Sequence, residues 1–115
     1  FKIILHLAKK DDMIITESQF EKVYENDGAA GFKIITDNNL EFVKLSLKPN
    51  AIVEPHSLPF DVYFYVIEGM GKLCINDSEY IVSKNSFVLC RANFERSWQN
   101  INAFDLTLLV VKSLT

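Results

Sequence analysis

The segment Val62-Tyr63-Phe64-Tyr65-Val66-Ile67-Glu68-Gly69-Met70-Gly71 is the part of the chain that decides its fold. Its first six residues are all apolar or aromatic, and β-branched and aromatic side chains favour extended backbone. A strand that is apolar on both faces is usually covered on both sides. Gly69 and Gly71 then favour a turn. We therefore predict a well-covered β-strand at residues 62–67 that ends in a turn.

A two-residue period continues along the rest of the chain. Val43, Leu45 and Leu47 alternate with polar residues, which is typical of a strand with one solvated face. Further strands are expected near residues 73–75, 80–82, 87–89 and 104–111, separated by turns rich in Asn, Asp and Ser. Many short strands of this kind indicate a β-sandwich or barrel. A length of 115 residues suits one domain, residues 1–115.

Residues 16–24 are the one segment that favours a helix. Thr16-Glu17-Ser18-Gln19 resembles a capping box, in which the first and fourth side chains cap the start of a helix. We therefore expect little helix beyond this segment.

The composition excludes several classes of protein. Hydrophobic residues make up 49% and charged residues 23%, as in a folded domain, and the net charge is −3. A negative charge without a basic stripe argues against a nucleic-acid partner. No apolar run approaches the roughly 18 residues of a membrane span, and Phe1–Leu7 does not resemble a signal peptide. Cys74 and Cys90 lack metal or redox spacing, so a reducing cytoplasmic location is expected.

Residues 50–69 and 85–100 carry a spacing that resembles the cupin superfamily. The first segment matches the positions of the cupin motif G-x5-H-x-H-x3-E-x6-G, and the second those of G-x5-P-x-G-x2-H-x3-N. The resemblance implies an all-β cupin-type double-stranded β-helix, which is a jelly-roll barrel. Three motif glycines are replaced by Asn50, Asn85 and Asn93. Because asparagine tolerates left-handed backbone, we predict that these turns are preserved.

The ligand positions of the motifs have changed in chemistry. The resemblance implies a metal held by three histidines and a glutamate, which donate lone pairs to a divalent ion. In this chain those four positions hold His56, Leu58, Val62 and Arg96. Leucine and valine have no donor atoms, and arginine is a permanent cation. We therefore predict no metal and no cofactor.

Side-chain alternation predicts the lining of a pocket. Residues two apart on a strand share a face. We therefore expect Val62, Phe64 and Val66 to point into the barrel, and Phe94, Arg96 and Trp98 to point into it as well. The predicted ligand-binding residues are His56, Leu58, Val62, Phe64, Arg96 and Trp98.

Arg96 raises the question of what pairs with its charge. A buried guanidinium is costly unless paired. The partner is either Asp61, if its loop bends, or a bound carboxylate or phosphate. Alternatively, the side chain reaches solvent at the rim. Cys90 is expected to be a small buried hydrophobic residue rather than a nucleophile.

Tyr63, Tyr65 and Ile67 are expected to point away from the barrel. Large apolar patches are uncommon on monomers, so this face needs cover from a second element or a second subunit, and a homodimer is expected. The resemblance adds that small cupins commonly dimerise through a sheet face or through swapped N-terminal strands, a role that Phe1–Leu7 would suit.

Three functions remain open at this point. The favoured one is a barrel that binds a small, anionic or amphipathic molecule without a standard metal centre. The first alternative is a metal-dependent cupin enzyme, such as a dioxygenase, isomerase or epimerase, with an atypical site. The second alternative is a structural or regulatory dimer with a filled barrel. No nucleic-acid or membrane partner is expected.

Overall fold

The computed structural model describes residues 13–115, and the expected strand Phe1–Leu7 lies outside the described residues. Within this range the chain forms ten β-strands and a single 3-10 turn. The strands are β1 (Glu21–Asn26), β2 (Ala29–Asp37), β3 (Leu40–Leu47), β4 (Ile52–His56), β5 (Val62–Glu68), β6 (Gly71–Ile75), β7 (Ser78–Val82), β8 (Phe87–Cys90), β9 (Arg96–Asn100) and β10 (Leu106–Ser113). The all-β architecture predicted from the two-residue period is confirmed.

The strands form two antiparallel sheets with the core between them. The larger sheet has the order β1-β2-β3-β10-β5-β8, and the smaller has the order β4-β9-β6-β7. Inward-facing residues of both sheets build one apolar cluster, as expected for packed sheets whose strands alternate inward and outward residues. Its largest fully buried apolar members are Trp98, Leu47, Leu73, Leu106, Leu108, Val62 and Val66.

Strand β5 shows how the alternation works at the segment that decides the fold. Val62, Phe64 and Val66 face the core and are buried, whereas Tyr63 and Tyr65 lie on the other face and are half-buried. Neighbouring strands β10 and β8 pair with it on either side. The apolar sequence of β5 predicts that this second face is also covered. Within residues 13–115 it is covered only in part.

The asparagine turns are confirmed. Asn50, Asn85 and Asn93 have φ angles of 67°, 67° and 68°, which is the left-handed region that motif glycines otherwise supply. Asparagine is among the few other residues that adopt this region routinely, since its short polar side chain can hydrogen-bond locally. The three substitutions therefore keep the turns of the barrel.

The helix expected at residues 16–24 is wrong. The backbone N–H of Thr16 donates to Oε1 of Gln19 at 2.9 Å, as in a capping box, but the 3-10 turn covers only Glu17–Gln19. Residues 21–26 form β1 instead, because they pair with β2 and tertiary pairing overrides a short local preference. In residues 13–115 no helix is long and apolar enough to cross a membrane.

Candidate functional site

A cavity of about 300 Å³ lies between the two sheets. Seven strands contribute to it: β1, β2, β3, β5 and β10 from the larger sheet, and β4 and β9 from the smaller. The lining residues are Val23, Tyr24, Gly31, Lys33, Glu41, Val43, Leu45, Val53, His56, Phe64, Arg96, Trp98, Val110 and Lys112. Most of this surface is apolar, and its charged residues are Lys33, Glu41, Arg96 and Lys112.

Four of the six predicted site residues line this cavity together. They are His56, Phe64, Arg96 and Trp98. Val62 points inward, but it is enclosed in the core outside the cavity. Leu58 also lies outside the lining, because β4 ends at His56 and strand alternation does not extend past that residue.

Phe94 does not share the inward direction predicted for it. Its side chain is 44% exposed. It follows the turn at Asn93, and its backbone N–H donates to the carbonyl of Arg91 at 3.2 Å, as in a turn. Strand β9 begins only at Arg96, so the two-residue alternation cannot be extended back to Phe94.

Arg96 is buried inside the barrel, with 4% of its surface exposed. The alternative in which it reaches solvent at the rim is therefore wrong. Its hydrogen bonding is sparse: Nη1 donates to the carbonyl oxygen of His56 at 3.4 Å, and Nε is enclosed without a partner within residues 13–115. No carboxylate of those residues forms an ion pair with it. Burial lowers the pKa of the Arg96 guanidinium from its ordinary value, and the nearby Cys90 opposes this.

Asp61 is not the partner of Arg96. Its Oδ2 accepts a hydrogen bond from Nη1 of Arg91 at 3.1 Å, and its Oδ1 accepts one from the backbone N–H of Ala92 at 2.9 Å. The Asp61 carboxylate thus joins the start of β5 to the loop after β8. The charge of Arg96 is left without compensation from this acid.

Two ion pairs involve charged residues of the cavity lining. Lys112 lies 3.2 Å from Glu41, and Lys33 lies 3.3 Å from Glu21. The prediction missed these residues. Two of them, Glu41 and Lys112, could have been found from the sequence. Glu41 continues the alternation of Val43 and Leu45 on β3, and Lys112 continues that of β10. Lys33 follows Gly31 on the inward face of β2, opposite Val43 of β3, and β2 is not among the predicted strands.

Trp98 forms a wall of the cavity and is 2% exposed. Its ring packs edge-on against Phe64, with ring centroids 5.3 Å apart and planes inclined by 65°. Such edge-to-face pairs add specific stabilisation to area burial. On the opposite strand Gly71 makes room for the indole, because a Cβ there would lie 2.6 Å from Trp98 Cε3 and Cζ3. Nε1 of Trp98 is enclosed without a partner among the described residues.

Neither a protein-family model nor a curated protein matches the sequence. Solved structures do match the fold. An RmlC-like cupin from Shewanella frigidimarina is 13% identical, with 90% of this chain and 92% of that chain covered and a TM-score of 0.79. A predicted oxalate decarboxylase from Thermotoga maritima is 18% identical, with 90% and 100% covered and a TM-score of 0.77. KdgF from Halomonas sp. is 12% identical, with 89% and 94% covered and a TM-score of 0.76.

The chain folds as a cupin. The architecture implied by the motif spacing is therefore confirmed. At sequence identities this low, the similarity to these structures shows the fold and nothing about function.

The metal site that the cupin fold implies does not fit these residues. Of the four motif positions, only His56 offers a donor atom, since Leu58 and Val62 are aliphatic and Arg96 is cationic. Within residues 13–115 there is no group of three or more His, Cys, Asp or Glu side chains placed to hold a metal ion. The cupin ligand set is thus replaced by the imidazole of the exposed residue His56, whose Nδ1 lies 3.0 Å from the carbonyl oxygen of Glu54, and by the buried guanidinium of Arg96.

Proposed function

We propose that this cupin barrel binds a small anionic molecule in its cavity, without a standard metal centre. The observation that carries the proposal is the buried guanidinium of Arg96, which has one long hydrogen bond and no carboxylate partner within residues 13–115. Burying a charge without a partner is costly, and a bound anion would remove that cost. Charge-assisted hydrogen bonds to a carboxylate or phosphate are among the strong ones.

The charge distribution of the cavity supports an anion. The chain has a net charge of −3, yet among the described residues the cavity lining holds the cations Lys33, Arg96 and Lys112. Glu21 pairs with Lys33 and Glu41 with Lys112, so the positive charge of Arg96 remains. A positive interior in a negative protein selects for anions, because a cleft lined by one sign of charge concentrates ions of the opposite sign.

The cavity also favours ligand binding over a barrel that is only structural. A volume of about 300 Å³ is at the lower end of the range for ligand pockets.

We propose a cytoplasmic location, which the two free thiols of Cys74 and Cys90 support.

The enzymatic alternative rests on a metal, and the donor set argues against it. The Thermotoga maritima neighbour is described as a predicted oxalate decarboxylase, but the motif positions here hold one possible ligand, His56. We expect elemental analysis of purified protein to find no stoichiometric Fe, Mn, Ni or Zn. About one ion per chain, lost in His56→Ala, would favour the enzyme instead.

The binding proposal is tested by comparing Arg96→Met with Arg91→Met. Arg91 is a surface arginine paired with Asp61, so its variant controls for the loss of one positive charge. Calorimetry with small carboxylates and inorganic phosphate should show binding to wild type and to Arg91→Met. In Arg96→Met the affinity should fall by about one to two decades, since a charged hydrogen bond contributes about 1.5–3 kcal/mol.

A second readout separates binding from a structural role. Removing an uncompensated buried charge is neutral or stabilising when a side chain of similar volume replaces it. Arg96→Met should therefore match or exceed wild type in thermal stability without ligand. Unchanged anion affinity, or a large loss of stability in Arg96→Met, would contradict the proposal.

We also propose that the chain forms a homodimer through the outer face of the larger sheet. That face is rich in half-buried and exposed apolar residues, which are Phe42, Tyr63, Tyr65, Ile67, Phe87, Leu109 and Val111. Lys44 on the same face is paired with Glu17. In a two-fold dimer each patch meets its own copy, so a patch with compensated charge suits self-association.

The dimer is tested by light scattering at micromolar concentration. Leu109→Lys places a charge at the centre of the outer face and should yield monomers. Tyr80→Lys, on the exposed strand β7 of the other sheet, should leave the dimer intact. A monomeric wild-type protein would contradict the proposal.

A further inference from the structure

We infer that the ligand of this cavity is an organic monocarboxylate with an apolar body. The inference rests on the proposed function and specifies the class of its ligand. It follows from the charge of the lining, from the shape of the guanidinium and from the apolar walls.

The lining offers one uncompensated charge among the residues that the structure describes. Lys112 is already paired with Glu41 at 3.2 Å, and Lys33 with Glu21 at 3.3 Å, which leaves Arg96 alone. A monoanion neutralises this guanidinium. A dianion brings a second charge for which the cavity has no unpaired cation, and burying an unpaired charge is costly.

The guanidinium of Arg96 favours a planar acceptor. It has five N–H donors in a rigid plane, and a carboxylate accepts two of them side by side. Within residues 13–115, Nη1 alone of its three nitrogens has an acceptor, and that bond to His56 is 3.4 Å long. Nε is enclosed, so a ligand reaches it only when the side chain turns. A carboxylate at this plane supplies acceptors that the described part of the chain does not.

The apolar walls of the cavity favour a ligand with an apolar body. Six aliphatic and aromatic residues surround the space beside Arg96: Val43, Leu45, Val53, Phe64, Trp98 and Val110. A volume of about 300 Å³ equals that of roughly ten water molecules in the liquid. The apolar body is therefore short, and the whole ligand has about ten nonhydrogen atoms. Short-chain alkanoates and arylacetates have this size and polarity.

The orientation of the ligand follows from the strand β9. Arg96 and Trp98 are two residues apart and share the inward face, so a carboxylate at Arg96 places the adjoining carbons against the indole. Trp98 is the single tryptophan of the chain, and its emission therefore reports on the occupied cavity.

The test is a titration of wild type, Arg96→Met and Arg91→Met with defined probes. The probes are the straight-chain carboxylates from acetate to decanoate, together with phenylacetate, 1-hexanol, adipate and inorganic phosphate. Calorimetry gives the affinities, and Trp98 fluorescence reports whether binding occurs in the cavity.

We expect the affinity for wild type to rise about three- to fourfold per added CH2 and to level off when the cavity is full. Hexanoate should bind at least about tenfold more tightly than 1-hexanol, adipate or phosphate. Arg96→Met should lose this preference, and Arg91→Met should keep it.

The outcomes separate this inference from the proposed function. Tighter binding of adipate or phosphate that still depends on Arg96 would overturn the monocarboxylate and leave the anion-binding function standing. No Arg96-dependent binding of any anion would overturn both. Affinity that rises steadily to decanoate without a change in Trp98 emission would place the binding on the outer surface and overturn the inference.

Discussion

The carboxylate of Asp61 holds the guanidinium of Arg91 at 3.1 Å, and Arg96, on the next strand, has no acid partner among residues 13–115. The same carboxylate accepts the backbone N–H of Ala92 at 2.9 Å. Asp61 therefore stabilises the loop that leads into β9, and the buried cation of the cavity depends on other groups for its compensation.

Asp61→Ala should destabilise the protein more than Arg91→Ala. Removing Asp61 leaves the part-buried N–H of Ala92 without its acceptor, which costs about 1–3 kcal/mol. Removing Arg91 breaks only an exposed ion pair, a loss of about 1 kcal/mol or less. Urea unfolding of the two variants measures the difference, and equal losses would contradict the role of the backbone contact.

Asn50→Ala and Asn93→Ala should each lower the free energy of unfolding by about 1–2 kcal/mol, since alanine is strained at positive φ. Asn50→Gly and Asn93→Gly should be nearly neutral, because glycine adopts this region without a steric penalty. Asn26→Ala is the control, as Asn26 is exposed and its φ is not positive. Similar losses for alanine and glycine at Asn93 would show that backbone strain is not the cause.

Asn100→Ala should cost at least about 2 kcal/mol. The fully buried amide donates to the carbonyls of Leu47 and Phe104 at 2.9 and 2.8 Å, and its Oδ1 accepts two bonds from Asn102 at 2.7 Å. Each buried group left without a partner costs about 1–3 kcal/mol. Gln99→Ala, one residue earlier and half-buried, should change stability by less than about 1 kcal/mol in the same chemical unfolding experiment. Comparable losses for the two variants would argue against the network.

Gly71→Ala should displace the indole of Trp98. The added Cβ would lie 2.6 Å from two ring carbons, and overpacking of this kind costs about 1–3 kcal/mol. We expect a shifted Trp98 emission maximum together with a lower melting temperature. Gly31→Ala is the matched control within the cavity lining. Its added Cβ would lie 3.3 Å from its nearest neighbour, the Cβ of Tyr24, and not against the indole. An unchanged emission maximum in Gly71→Ala would contradict the close packing.

Cys90 should make the free energy of unfolding fall as the pH becomes alkaline. Burial raises the pKa of the Cys90 thiol above its ordinary value of 9.0, and the positive charge of Arg96 opposes this in part. The unfolded chain therefore loses this proton at a lower pH than the folded one. The contribution of the protonated Cys90 thiol to stability is complete below the pKa of this thiol in the unfolded chain. It is lost as the pH rises through the pKa of the thiol in the folded protein.

The measurement is the free energy of unfolding between about pH 7 and pH 10 for wild type and Cys90→Ala. The variant should show a shallower decline above about pH 9. The slope is the quantity compared, because removing the buried sulfur lowers stability at every pH. Equal slopes would show that Cys90 ionises alike in both states.

Local sequence determined many of the strands and turns of this protein, although β1 and β2 were not predicted. The alternation of Val43, Leu45 and Leu47 is a property of one strand, so it indicates a buried face without knowledge of its neighbours. Asn50 and Asn93 occupy left-handed turns because few other residues tolerate that backbone. The altered ligand positions of the cupin motifs are likewise visible in the sequence, since donor chemistry belongs to the side chain itself.

Tertiary structure alone decided which of these residues share the cavity. Parity holds only within a strand, and the ends of β4 and β9 therefore removed Leu58 and Phe94 from the lining. Asp61 pairs with Arg91 because two loops distant in sequence approach each other. Lys33 reaches the cavity because β2 pairs with β3, where it stands opposite Val43. Such contacts depend on how strands pair across the sheets, which a two-residue period cannot specify.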